Sequence, residues 1–298
     1  MLKINFAVWN MQGTNKNDQR FTAHRKKINK LLEYKINGKE PLDLVFFQEI
    51  SNPEIVFQEN PPERIFYQPY RTVGPWRSCR ENHPEAPGSG RGVVLYQRCG
   101  TDFEVIPEDF SDHTNPVGIR YIIKKGEKAC LCFIGFWNIP PKSNKYQRYL
   151  ENILAAELPA ADIPCIIAGD TNVNLDSENA VEDGKDSKDN CRNRRELFVE
   201  DALNRYGLTL LNPPGIFTHR QYKKEKKTGK VIQSFFQCDL LMASSGLLNA
   251  PEPTGITTCS LGGVPAGLAE EFETWNSDHL PLFFHSFRAG RQSRTIDV

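Results

Sequence analysis

Five short stretches put oxygen-bearing side chains at the ends of apolar runs. Phe6 to Asn10 reads FAVWN and stops on an amide, and Val45-Phe46-Phe47 runs into Gln48-Glu49. Ile166-Ile167-Ala168 leads through Gly169 to Asp170 and Asn172. Asp239 stands within QCDLLM at 237–242, and Ser277-Asp278-His279 precedes a final apolar run that begins at Leu282. Carboxylates and amides with one imidazole make an oxygen-rich set. It suits a hard cation, Mg²⁺ first and Mn²⁺ or Ca²⁺ as alternatives, rather than zinc or copper. Carboxylates gathered without a cation repel one another, so a metal is also what makes such a cluster tolerable. A single Asp after a strand is ordinarily a turn or helix cap. The order of all five stretches is what points to chemistry.

For these residues to meet, the runs must be strands of one sheet system whose ends share an edge, because such ends converge in space. The patterning predicts strands at 2–10, 43–48, 92–97, 103–106, 118–124, 129–137, 163–168, 235–242 and 282–287. Asp239 then falls in mid-strand. Helical spacing is read at 22–36, closed by Asn37-Gly38, at 146–158, and at 192–206, closed by Gly207. Residues 51–90, rich in Pro, Glu and Arg, read as a long excursion with little regular structure. RQYKKEKKTGK at 220–230 reads as a polar, hairpin-like excursion. Apolar strands interleaved with three helices predict an α/β architecture in a single domain over 1–288, with a flexible tail at 289–298.

These motifs carry a resemblance. Trp9-Asn10, Gln48-Glu49, GDTN at 169–172 and SDH at 277–279 stand in the order found in the endonuclease/exonuclease/phosphatase superfamily of deoxyribonuclease-I-like enzymes. The stretch Trp9 to Gly13, Gly90-Arg91-Gly92 and Gly118-Ile119-Arg120 are most similar to the catalytic B subunits of cytolethal distending toxin. The resemblance spans roughly residues 2–287. It implies a four-layered α/β sandwich, two central mixed sheets flanked by helices, and hydrolysis of a phosphodiester. It further implies a metal held by Glu49 with Asn10 and Asp278, and Asp170 orienting or deprotonating the attacking water. Asn172 would hydrogen-bond the phosphate, His279 would be the acid/base residue or a phosphate ligand, and Asp239 an orienting carboxylate. Arg91 and Arg120 match positions that contact substrate phosphates, a role bidentate guanidinium geometry suits, with a surface salt bridge as the alternative for each. Thr218-His219 also fits the pattern, with a turn histidine as the alternative.

One position departs from it. Deoxyribonuclease-I and the toxin subunits carry a second catalytic His where this chain has Trp137. Indole exchanges no proton near neutral pH and only donates a hydrogen bond, and general acid/base help is worth about 10²–10⁴-fold. The apurinic/apyrimidinic endonuclease branch places Tyr at the similar position and still cleaves. Trp137 is therefore read as a substrate-contacting residue, donating its N–H or stacking on a base, with a core-covering aromatic as the alternative.

Composition narrows the classes without choosing among them. In 298 residues, 37 Lys+Arg balance 37 Asp+Glu, so nothing steers the whole molecule toward polyanions, although a local basic groove is compatible with that balance. The lysines at 223, 224, 226, 227 and 230 are such a concentration. No apolar run reaches the length of a membrane span. The N-terminal MLKINFAVWN reads as a strand rather than a leader, which fits either an intracellular protein or a mature secreted or translocated one. Eight Cys form no CxxC pair and are expected as buried free thiols, with Cys130 and Cys132 on one face of a strand. Three functions stay open: a Mg²⁺-dependent nuclease acting on DNA, a phosphatase of phosphoinositides or other small phosphate esters, and a non-catalytic binding protein. The toxin resemblance adds a delivery or binding subunit as an expected partner.

Overall fold

Period-two alternation along the longest strands decides how the chain layers. The computed structural model describes residues 2–11, 21–33, 35–36, 40–50, 64–69, 92–108, 117–137, 146–159, 163–171, 181–182, 185–186, 194–212, 218–224, 228–244, 257–259 and 282–289. Its strands run β1 (Leu2–Asn10), β2 (Lys35–Ile36), β3 (Glu40–Pro41), β4 (Leu44–Ile50), β5 (Arg64–Pro69), β6 (Gly92–Gln97), β7 (Glu104–Glu108), β8 (Val117–Lys125) and β9 (Lys128–Trp137). There follow β10 (Cys165–Asp170), β11 (Val181–Glu182), β12 (Lys185–Asp186), β13 (Leu208–Leu210), β14 (His219–Lys224), β15 (Val231–Phe236), β16 (Asp239–Ser244), β17 (Thr257–Cys259) and β18 (Leu282–Ala289). The helices are α1 (Phe21–Glu33), α2 (Tyr146–Glu157) and α3 (Arg194–Arg205).

Two mixed six-stranded sheets result, in the orders β17-β18-β1-β4-β6-β5 and β13-β16-β10-β9-β8-β7. Each has one parallel pair at its centre, β1 with β4 and β9 with β10. Ile4, Phe6 and Val8 of β1, with Leu44 and Phe46 of β4, meet Phe133 of β9 and Ile166 and Ala168 of β10 in one buried cluster. The Phe133 ring takes edge contacts from both Phe6, at 6.1 Å, and Phe46, at 5.7 Å. The sheets come close because Gly135 has no side chain: a Cβ there would lie 2.5 Å from the Phe46 ring. On its other face the second sheet buries Ile134, Phe136, Ile167 and Leu240 under α2 and α3, through Ile153, Leu154, Val199 and Leu203. These are the apolar positions of both helices at three- and four-residue spacing. On the exposed side Arg205 joins α3 to α2 through Glu151 at 2.6 Å and pairs within α3 with Asp201, also at 2.6 Å. Gly207, at φ 64°, ends α3. Among the described residues no helix is long and apolar enough to cross a membrane.

The structure departs from the sequence expectations where pairing partners intervene. Helix α1 ends at Glu33, and Lys35-Ile36 pair with Glu40-Pro41 as a small hairpin instead of continuing it. Within the segment expected to be irregular, Arg64–Pro69 forms an edge strand on β6. The lysine-rich excursion does belong to a hairpin, β14–β15, as expected, but that hairpin sits inside a four-stranded sheet with β11 and β12. The strand expected over 235–242 is broken at Gln237-Cys238, so Asp239 begins β16 rather than sitting within a strand. At the C-terminus Arg288 and Ala289 still pair with Lys3 and Leu2, so the last strand reaches one residue into the expected tail. Cys130 and Cys132 do not share a face. A register shift between Ile123 and Lys124 of β8 falls opposite Cys130, which joins the inter-sheet cluster, whereas Cys132 joins the helix-covered one.

Candidate active site

Strand parity brings the predicted residues to one edge. Asn10 and Gln48 continue the inward-facing positions of β1 and β4 and stand opposite each other in the parallel ladder. Asp170, opposite Trp137 on one side and Asp239 on the other, continues the inward positions of β10. The carboxyl ends of both parallel pairs therefore meet across the inter-sheet layer. One contact closes the gap: the Asn10 Nδ2 donates to Glu49 Oε1 at 3.1 Å and to Asp170 Oδ2 at 3.0 Å. All three residues are buried, with Asn10 fully enclosed.

Glu49 reaches this point by leaving the strand pattern. In a regular strand the residue after inward-facing Gln48 would point away from the core. The ladder to β6 shifts register between Gln48 and Ile50, and Glu49 takes φ 58°, in the left-handed region. A bulge re-aims its side chain at a cost in backbone strain. Glu49→Gly and Glu49→Ala remove the same carboxylate, but only Ala keeps the left-handed penalty. Glu49→Gly should therefore be the more stable by about 1 kcal/mol in urea unfolding; equal midpoints would mean that the bulge relaxes in solution.

Asp239 is held by residues whose part was not read from the sequence. The Thr218 hydroxyl, fully buried, accepts the backbone N–H groups of Cys238 at 3.1 Å and Asp239 at 3.0 Å. Asn212 donates to the Asp239 carbonyl at 2.8 Å and accepts the Leu241 N–H at 2.7 Å, replacing a strand where β13 stops. Thr171 carries the ladder past Asp170 by donating its N–H to the Cys238 carbonyl at 2.9 Å. Thr218, ahead of the lysine-rich stretch, and Thr171, inside GDTN at 169–172, are the visible clues; Asn212 has none, because its partners are backbone groups distant in sequence.

Two predicted substrate contacts are placed otherwise. Arg120 lies on the helix-covered side of the second sheet, opposite Ile134 in the ladder and paired with Glu108 at 3.1 Å. It is not brought to Asn10, Glu49 and Asp170; alternation in β8 points Ile119 and Tyr121 inward and Arg120 the other way. Its charge acts instead on Cys132. The Cys132 thiol is held below its ordinary range, first by hydrogen bonding with Cys165 and then by Arg120, whereas that bond and burial push Cys165 up. Trp137 is 6% exposed and belongs to the inter-sheet cluster, so it caps the core beside Asp170. Asn172, Asp278, His279 and Arg91 lie outside the described residues. Leu282, at the head of the strand that follows Asp278-His279, pairs with Val8, and Gly92, directly after Arg91, pairs with Ile50.

Among the described residues no three His, Cys, Asp or Glu side chains form a metal-binding group. What is present still fits a divalent cation. Two buried carboxylates converge on one amide, an arrangement of like charges that a cation offsets, and all the donors are the hard oxygen ligands such an ion takes.

The chain belongs to the endonuclease/exonuclease/phosphatase family, whose sequence model matches residues 7–228. Members of that family are typically hydrolases of phosphate esters and generally depend on a divalent metal. No curated protein sequence matches the chain. Solved structures with the same fold include the endonuclease domain of TRAS1, a telomere-specific non-LTR retrotransposon, at 12% identity and TM-score 0.54, covering 97% of this chain and 100% of that one. An AP endonuclease from Archaeoglobus fulgidus is 15% identical at TM-score 0.54, over 94% and 98% of the two chains. A mannosyl-6-phosphatase from Bacteroides thetaiotaomicron is 14% identical at TM-score 0.52, over 96% and 100%. The similarity establishes the deoxyribonuclease-I-like α/β fold, and the activities of these neighbours are mixed.

Proposed function

We propose that this protein is a Mg²⁺-dependent phosphodiesterase that nicks DNA, an endonuclease of the toxin-B and deoxyribonuclease-I type. The observation that carries the reading is the Asn10 amide joining Glu49 to Asp170 at the shared strand edge. Glu49 and Asn10, with Asp278, would hold the metal, which when bound polarises the scissile phosphate and offsets its developing charge. Asp170, fixed by its amide contact, orients and deprotonates the attacking water. Asp239, braced by Thr218, orients its neighbours. Asn172 hydrogen-bonds the phosphate, and His279 exchanges the proton at the leaving group. Arg91 contacts a flanking phosphate. Trp137 supplies no proton, so turnover is slow relative to a two-histidine enzyme. A subunit that delivers the protein to DNA belongs to the same proposal.

The β14–β15 hairpin supports a polyanionic substrate. It starts beside Thr218, which braces Asp239, and ladders Lys223 and Lys224 toward its tip. The test is nicking of supercoiled plasmid in millimolar Mg²⁺, with bis-p-nitrophenyl phosphate as a small-ester control. Wild type should nick, EDTA should abolish nicking, and Asp170→Asn should slow it by about 10²–10⁴-fold. Lys223→Ala/Lys224→Ala should weaken plasmid nicking and its salt dependence while sparing the small ester. Hydrolysis of small esters without nicking would overturn the nuclease reading in favour of a phosphatase. Silence on both substrates with Mg²⁺ still bound would leave a binding protein.

A further inference from the structure

Gln48 has no assigned role, yet it touches the residue at the centre of the site. It is fully buried at the carboxyl end of β4, beside Asn10 in the ladder. Its Oε1 accepts the backbone N–H of Asp170 at 2.9 Å, across the layer between the two sheets. A backbone N–H can only donate, so this contact settles which end of the amide is oxygen. The other end, Nε2, is buried with no hydrogen-bond partner among the described residues. A buried donor without an acceptor is disfavoured, but an apolar side chain of the same length would only move that cost to the Asp170 N–H. The acceptor end is what the amide contributes: it both satisfies and fixes the Asp170 peptide. Asp170 is gripped twice by neighbouring residues of the opposite sheet: Asn10 holds its carboxylate and Gln48 its main chain.

We propose that Gln48 is a positioning residue, aiming the Asp170 carboxylate by fixing the Asp170 peptide from the opposite sheet. The proposal rests on the hydrolase reading above for its effect on rate, but not for its effect on Asp170. Gln48→Met keeps the length and removes both polar ends. In Mg²⁺-dependent plasmid nicking its kcat should fall by about 10²-fold, the scale of a small misplacement of a reacting group. KM should stay within about twofold, and Tm should change by no more than a few degrees, because one orphaned donor, Gln48 Nε2, is exchanged for another, the Asp170 N–H. Hydrogen exchange at the Asp170 amide should accelerate at least about tenfold while that of Ile167 stays unchanged. In Gln48→Glu, which keeps an acceptor oxygen, protection of the Asp170 amide should persist. An unchanged kcat, or a kcat lost only in proportion to the unfolded fraction, would overturn the positioning role. If wild type hydrolyses neither plasmid nor bis-p-nitrophenyl phosphate, the hydrolase reading fails instead. Exchange at Asp170 then still decides whether Gln48 sets that residue, and equal rates in wild type and Gln48→Met would overturn it.

Discussion

Asn10→Leu should lower stability by about 3–5 kcal/mol, the cost of removing a donor that two buried carboxylates share. In a domain of this size that is a fall in Tm on the order of 10 °C. The amide of Asn10 is the shared donor for Glu49 Oε1 and Asp170 Oδ2, and Leu of similar volume leaves those carboxylates facing an alkyl group. The double variant Asn10→Leu/Asp170→Asn should lose less than the sum of the single changes, since neutralising one carboxylate removes the repulsion. Asn10→Asp makes the complementary case. It adds a third carboxylate to the same point and should be at least as destabilising in EDTA. Much of that loss should return on adding Mg²⁺, by mass action on the folded state. Thermal melts of the three variants in EDTA and in Mg²⁺ read both effects. A wild-type stability left untouched by Asn10→Leu would mean that the two carboxylates are not held together in solution.

Gly169→Ala should cost about 3 kcal/mol or more, at the upper end of overpacking. A Cβ at Gly169 would lie 2.1 Å from the backbone oxygen of Phe136, its ladder partner on β9. A side-chain clash is relieved by a rotamer change. Here the obstacle is the main chain of a central strand, so β9 and β10 must separate. Asp170 is the next residue, and separation draws it away from Asn10; catalytic output should drop along with stability. Gly126→Ala is the control. It has φ 62° and nothing within 4 Å, so only the left-handed penalty of about 1 kcal/mol applies. Urea unfolding of both variants measures the contrast, and equal costs would rule out the close approach of β9 and β10 at Gly169.

What could be read from the chain alone follows from alternation, a local property. Ile4, Phe6, Val8 and Asn10 share a face because strand geometry repeats every two residues. Leu44, Phe46 and Gln48 share one for the same reason, as do Ile166, Ala168 and Asp170. The polar residue closing each run was therefore legible as an inward group at a sheet edge, and the order of the motifs was enough to suggest the family. Helices α2 and α3 were legible through their apolar spacing, within two residues at each end.

What remained hidden depends on a partner strand. The bulge that turns Glu49 inward exists only because β4 shifts against β6, and the shift opposite Cys130 only because β8 slips against β9. The edge strand Arg64–Pro69 is defined by its pairing with β6, inside a stretch whose prolines argue for a loop. Arg120 resembled a phosphate contact by its motif, but the orientation of β8 within the second sheet turned it toward Glu108 and Cys132. Local alternation alone sets which side chains end the buried strands, and so which chemistry is available. That Asn10, Glu49, Gln48 and Asp170 meet is a matter of long-range packing: two sheets must lie face to face before an amide on one can reach a carboxylate and a peptide N–H on the other.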